Sequence, residues 1–225
     1  MAVTELALLH IVPPLTASDA SLRSKLKHAK TLMESFTGRQ FYYLQQIEDP
    51  SYIYVLGEWD SVQQHMEGFI PSSDNQGVLE SLKGQLEVKW LLHMIAPHSS
   101  LPVPRPLPVD RDATAKELKY KGKYNVSPKL WSIERYFIKP GEKQKFEETF
   151  EENKHHLQEY VTEGTIGGGW RADAEEGKEE FVLFSPWKSV EAHESFVTTP
   201  AHEKYAALRG SLEGVDVRHA ELLFL

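Results

Sequence analysis

The 225-residue chain is 40% hydrophobic and 26% charged, the balance of an ordinary soluble globular protein of one large or two small domains. Its net charge of -8, with no basic stripe, excludes a nucleic-acid footprint. The absence of cysteine excludes disulfides, thiolate metal sites and cysteine nucleophiles, and suits a reducing, cytoplasmic setting.

The N-terminal run carries Glu5 and no basic segment, so it reads as a first strand and not as a signal peptide. Residues 6–12 form that strand, stopped by Pro13-Pro14. His10, near its end, reads as a strand-end histidine bonded to backbone. Leu22, Leu26, Ala29, Met33 and Phe36 recur at the helical period, with Asp19 or Ser21 as cap and Gly38 as stop. Residues 40–47 are a strand rich in aromatics, Glu48-Asp49-Pro50-Ser51 a turn, and residues 52–59 the returning strand. Ser61 and Gln64 form a capping box for a short helix. Val62, His65, Met66 and Phe69 share one face of it, which turns His65 inward. A second short helix carries Val78, Leu79 and Leu82 to Gly84, and residues 86–95, with His93, close the unit. The order strand, helix, strand, strand, helices, strand is ferredoxin-like: a four-stranded sheet with helices on one face. Its other face needs a partner. No run approaches the ~20 apolar residues of a membrane helix.

Residues 96–128 hold Pro97, Pro102, Pro104, Pro106, Pro108 and Pro128, an extended connection. The same order of elements then recurs. Residues 131–138 form a strand stopped by Pro140-Gly141, followed by a helix with Phe146, Phe150, Asn153, Leu157 and Tyr160 on one face. Asn153 occupies the position of Ala29. A buried amide costs about 1–3 kcal/mol unless it is paired, so Asn153 is either bonded to nearby backbone or a donor facing a pocket. His156 flanks it. The run Thr165-Ile166-Gly167-Gly168-Gly169-Trp170 lacks the Lys-Ser/Thr of a phosphate loop, and reads as a strand whose glycines allow a close approach. Residues 180–185 form the third strand, Thr199-Pro200 opens a helix, and residues 215–225 form the last strand.

The duplication is clearest in one motif. Trp59-Asp60-Ser61-Val62-Gln63-Gln64-His65 returns as Trp187-Lys188-Ser189-Val190-Glu191-Ala192-His193, with Trp, Ser, Val and His at identical spacing. The expected units are a first repeat over 1–97, a proline-rich linker over 98–128 and a second repeat over 129–225. A helix start and partial burial both disfavour imidazolium, so His65 and His193 should be neutral near pH 7. Each is then a general base or ligand contact, or a scaffold residue that ties helix to strand. No metal-ligand spacing, serine nucleophile elbow, or nicotinamide or flavin fingerprint is present.

A strand ending in Trp, then Ser, then a helical His, then Thr198-Thr199-Pro200-Ala201-His202, resembles the antibiotic biosynthesis monooxygenase family of dimeric α/β barrels. The resemblance implies an α+β fold, in which two tandem ferredoxin-like repeats form a dimeric-type α/β barrel within one chain. It also implies a small hydrophobic pocket in each half. Some members of the family oxidise aromatic polyketides with oxygen and no cofactor, and relatives degrade haem. The asparagine that several oxygenases carry on the first strand is absent here.

The expected function is a cofactor-independent enzyme, oxygenase by type, acting on a small hydrophobic, aromatic or polyketide-like metabolite. Catalysis is assigned to His193, Asn153 and Trp187, and substrate contacts to Tyr136, His156, Trp59 and His65. The alternatives are a non-catalytic small-molecule-binding or stress-response barrel, and a haem-binding protein with His65 or His193 as axial ligand. No metal, nucleic acid or membrane is expected as partner, and the chain is either a monomeric pseudo-dimer or a homo-oligomer. The second half, with Asn153 and His156 where the first has Ala29 and Leu32, should hold the better-formed site.

Overall fold

The computed structural model describes residues 1–104 and 130–225, so most of the proline-rich connection expected over 98–128 lies outside the described residues. The first half is β1 (Val3–Ile11), α1 (Ala20–Thr37), β2 (Phe41–Gln46), β3 (Tyr52–Trp59), a π-helical turn (Gln64–Phe69), α2 (Ser73–Leu82) and β4 (Leu86–Met94). The second is β5 (Leu130–Ile138), α3 (Lys143–Tyr160), β6 (Gly167–Trp170), β7 (Glu179–Trp187), α4 (Val190–Val197), α5 (Pro200–Tyr205), a 3-10 turn (Ala206–Ser211) and β8 (Leu212–Leu222). The expected caps form: Asp19 accepts from the Leu22 amide, Gly38 takes the left-handed conformation at φ 69°, and Thr199 caps α5 with Pro200 just inside.

The eight strands run β4-β1-β3-β2-β8-β5-β7-β6, two ferredoxin-like sheets joined edge to edge. At one seam β2 pairs antiparallel with β8, through Leu44 with Leu222 and Gln46 with Ala220. At the other, Met94 bridges Arg171, and the Ile95 amide bonds the Trp170 carbonyl at 2.8 Å, so the sheet closes into a barrel. The three glycines of β6 make this seam. A Cβ on Gly167 would lie 2.0 Å from the Ser100 carbonyl oxygen, and one on Gly168 2.1 Å from that of Val182. The segment after β4 therefore crosses β6 at backbone distance, which is the close approach expected of those glycines.

Strand alternation sorts the side chains into three cores. On β1 and β5, Leu6, Trp131 and Ile133 point into the barrel, where they meet Tyr42, Tyr54, Leu56, Met94 and Phe184. The opposite faces carry Val3, Ala7 and Ile11 in one half, and Leu130, Tyr136 and Ile138 in the other, each packed under its own helices. The barrel interior is thus the shared core that buries the free face of both sheets. On the helices the apolar stripe is shorter than the period predicts. Phe36 and Tyr160, at the ends of α1 and α3, are exposed, although each ring lies against the motif tryptophan of its half. Among the described residues no helix is long and apolar enough to cross a membrane.

Candidate functional site

β3 and β7 each end in the tryptophan of the repeated motif, and the next turn places the motif histidine against it. His65 stacks on Trp59 at 4.1 Å between ring centroids, and His193 on Trp187 at 4.6 Å. Ser61 and Ser189 fix the turns by accepting from backbone amides three residues on. In each half the Nδ1 of the motif histidine bonds the Nε2 of a histidine on the closing strand at 2.8 Å, His93 in the first half and His219 in the second.

The next link in each chain comes from the opposite half. His93 Nδ1 bonds Asp173 of the β6–β7 turn at 2.8 Å, and His219 Nδ1 bonds Glu48 of the β2–β3 turn at 2.7 Å. A carboxylate only accepts, so the His219 Nδ1 carries the proton. His219 Nε2 is then an acceptor, His193 Nδ1–H donates to it, and His193 Nε2 keeps its lone pair. His193 is held down at about 4 by burial, then by His219 and His202, and His65 at about 3 by burial and then His93. Both are neutral at pH 7, as the motif's position predicts. Burial would raise Asp173, but hydrogen bonds from His93 and Arg171 outweigh it and hold the carboxyl at about 2.

The halves differ in where β1 and β5 place an acid. Val3 pairs with Trp59 and Leu130 with Trp187, so Glu5 and Ser132 are equivalent, as are Ala7 and Glu134. Trp59 Nε1 donates straight to Glu5 at 2.8 Å. Trp187 Nε1 donates instead to Ser132 at 3.0 Å, and Ser132 donates on to Glu134 at 2.9 Å. Tyr136 donates to the other Glu134 oxygen, and its hydroxyl lies 2.9 Å from that of Tyr205. Burial raises Glu134, opposed by the hydrogen bonds from Tyr136 and Ser132. Burial, then Glu134, raises both tyrosines well above their usual range.

Moving the acid two residues along the strand puts it at a cavity of about 290 Å³ between the second sheet and its helices. Its polar lining includes Glu134, Tyr136, His193 and Tyr205, and its apolar walls Leu157, Phe196, Leu208, Leu212 and Val217. His202 and Arg209 also border it. A cavity of this size, apolar with a few convergent polar groups, suits a small ligand.

Of the residues singled out from sequence, His193 and Tyr136 line this cavity. Trp187, 2% exposed, does not line it and acts behind it as the plate under His193 and the donor to Ser132. Asn153 Nδ2 bonds the Thr149 carbonyl of its own helix at 2.9 Å, and Asn153 is not part of the lining. His156 lies beside His155 on α3, also outside the lining. Trp59 and His65 retain 0% and 2% of their surface, which closes them to a ligand. Sequence reasoning missed Glu5, Glu134, Tyr205, His219 and the two carboxylates of the opposite halves. Among the described residues no group of three or more histidine or acidic side chains could hold a metal ion.

Residues 132–208 fit the antibiotic biosynthesis monooxygenase family model. The matched stretch runs from within β5 into the turn before β8 and includes the cavity's Glu134, Tyr136, His193 and Tyr205. No curated protein sequence matches the chain. Solved structures share the whole two-repeat architecture. A candidate monooxygenase from Fusobacterium nucleatum is 8% identical, covers 99% of this chain and 93% of its own, and has a TM-score of 0.61. An anthrone oxidase-like protein is 12% identical over 98% of this chain and 91% of its own, with a TM-score of 0.60. A mutant chlorite dismutase from Candidatus Nitrospira defluvii is 12% identical over 98% and 91%, with a TM-score of 0.55. At these identities the likeness is one of fold.

Proposed function

We propose that the chain is a cofactor-independent oxygenase for a small hydrophobic aromatic metabolite, with its active site in the second half and His193 as the base. One observation carries this reading: a histidine lines an apolar cavity, while its Nδ1 leads through His219 to Glu48 and leaves Nε2 as its free base. The family match and the anthrone oxidase-like fold supply the reaction class.

The step is balanced without a cofactor. His193 Nε2 takes a proton from a carbon acidified by its aromatic neighbours. The resulting carbanion gives its electron pair to O2, forming a C–O bond and a peroxide anion. That anion recovers the proton from His193. Loss of the second proton from the same carbon then breaks the O–O bond, leaving a ketone and water. The His219–Glu48 chain offsets the charge that His193 gains, and the apolar walls keep water from quenching the carbanion. His193 ends the cycle neutral, as it began.

The chlorite dismutase likeness raises haem as an alternative. A tetrapyrrole is larger than a cavity of about 290 Å³, so the residues present do not fit that group, and no step is routed through it.

The test is oxygen uptake by the purified protein, with 2-hydroxyanthrone, which carries a hydroxyl donor, as probe and a chelator present. One O2 consumed per probe molecule is expected, with turnover in His193→Ala falling about a hundredfold and the melting temperature nearly unchanged. Probe binding without oxygen uptake would favour the non-catalytic binding protein. A Soret band lost in His193→Ala would favour the haem protein.

A further inference from the structure

Glu134 is the terminus of two hydrogen-bond chains, and their direction decides what the cavity can recognise. A carboxylate has no proton to give, so both neighbours must donate to it. Ser132 gives its hydroxyl proton to one oxygen while accepting from Trp187 Nε1, which can only donate. Tyr136 gives its proton to the other oxygen. Tyr136 has then no proton left, so in the contact with Tyr205, at 2.9 Å, Tyr205 is the donor. Tyr205 has in turn spent its proton inward, and its remaining capacity toward the cavity is a lone pair. His193 Nε2 is left with a lone pair by the same accounting from Glu48.

We propose that Glu134 is a specificity-determining residue, which makes the cavity an acceptor site selective for apolar aromatic ligands bearing a hydroxyl donor. This rests on the cavity identified above as the substrate site and narrows its ligand class. An ether or ketone of the same shape brings a lone pair against the lone pairs of Tyr205 and His193. A carboxylate or phosphate brings charge against Glu134. The first half lacks the device, since Ala7 stands where Glu134 does and Leu9 where Tyr136 does.

A single substitution should reverse the chain. In Glu134→Gln the side-chain oxygen keeps the Ser132 proton, because Trp187 fixes that end, and the amide nitrogen donates to Tyr136. Tyr136 then donates to Tyr205, and the Tyr205 hydroxyl is released toward the cavity as a donor.

The experiment is calorimetric titration with three probes of one shape, 2-naphthol, 2-methoxynaphthalene and 2-acetylnaphthalene, under argon so that no turnover is involved. Wild type should bind 2-naphthol roughly tenfold tighter than the other two. Glu134→Gln should lose that preference and gain affinity for 2-acetylnaphthalene. Tyr205→Phe should narrow the preference for 2-naphthol, since His193 Nε2 remains as an acceptor, and should bind the ether no more weakly than wild type does. Wild type preferring the ether or ketone would overturn the proposal without any variant having to fold. So would an unchanged order of affinities in a Glu134→Gln protein of normal melting temperature. Selective binding with no oxygen uptake would sink the oxygenase reading alone, and oxygen uptake with no selectivity would sink this one alone.

Discussion

Glu5 and Glu134 occupy the same face of equivalent strands, two residues apart in register, and meet different fates. Glu5 lies under closed helices against Trp59, with His65 Nε2 at 3.8 Å, and burial pushes it up to about 7, against the pull of the Trp59 hydrogen bond and of His93. A carboxyl whose pKa rises on folding binds its proton more tightly in the folded state. Its contribution to stability is therefore whole below about 4.5, and is lost as pH rises through about 7. Thermal melts of wild type should show stability falling across that window. Glu5→Gln should remove the fall and raise the melting temperature at pH 8 by about 5 °C, with little change at pH 4.5. Identical pH profiles for the two proteins would mean that Glu5 stays ionised. The acids escaped sequence reasoning because period-two alternation gives the face of a strand residue but not the partner it meets. The absence of a first-strand asparagine was legible. That the second half would place its acid at Glu134, two residues beyond the position of Glu5, was not, since it depends on Ser132 bridging the gap to Trp187.

At the scale of elements, β6 shows how a strand can be chosen for what crosses it. Gly167, Gly168 and Gly169 contribute no side chain, and each admits a neighbouring backbone at a distance no Cβ allows. Gly168→Ala should destabilise the protein by about 1–3 kcal/mol, since backbone on β7 must move. Gly210→Ala is the matched control, with nothing within 4 Å of its added methyl. Denaturant melts of the two variants decide the matter, and equal midpoints would show that the β6–β7 pairing has slack. The close approach at these glycines was legible because three in a row inside a strand pattern have little other use. What approaches them, the backbone of residues 95–101 at Gly167 and Gly169 and that of β7 at Gly168, was not. Asn153 shows what the period alone leaves open. Its place on the apolar stripe allowed either a pocket donor or an amide bonded to nearby backbone; a half-buried helix position lets an amide bond the carbonyl four residues back, and Asn153 takes that local solution.

At the scale of the whole molecule, the duplication that organised the sequence also hides its most consequential contacts. Trp-Ser-Val-His spacing, matched helices and strand order were enough to fold each half and to seat one on the other. The histidine chains were not legible, because His219 lies 171 residues from Glu48 and His93 lies 80 from Asp173. One signal was present: both acids fall in the hairpin turn of their own repeat, and both histidines on its closing strand. If His193 is held as a base through His219, then Glu48→Gln in the first half should cut oxygen-dependent turnover in the second by about ten- to a hundredfold. Asp173→Asn, which lies within the second half itself, should leave that turnover unchanged. The 15N shifts of His193 should report a changed tautomer in Glu48→Gln only. Equal losses from both substitutions would show that the acids act through barrel stability instead.

The exchanged carboxylates also redraw the boundaries along which this chain can be recombined. A chimera that joined this second half to the first half of a relative would inherit His219 without the acid that orients it, even if every strand paired. The unit that can be transplanted intact is a repeat together with the hairpin turn of the other repeat. Shuffling experiments that cut in the connection between the halves would therefore recover well-folded barrels whose closing-strand histidines have lost the acceptors that orient them.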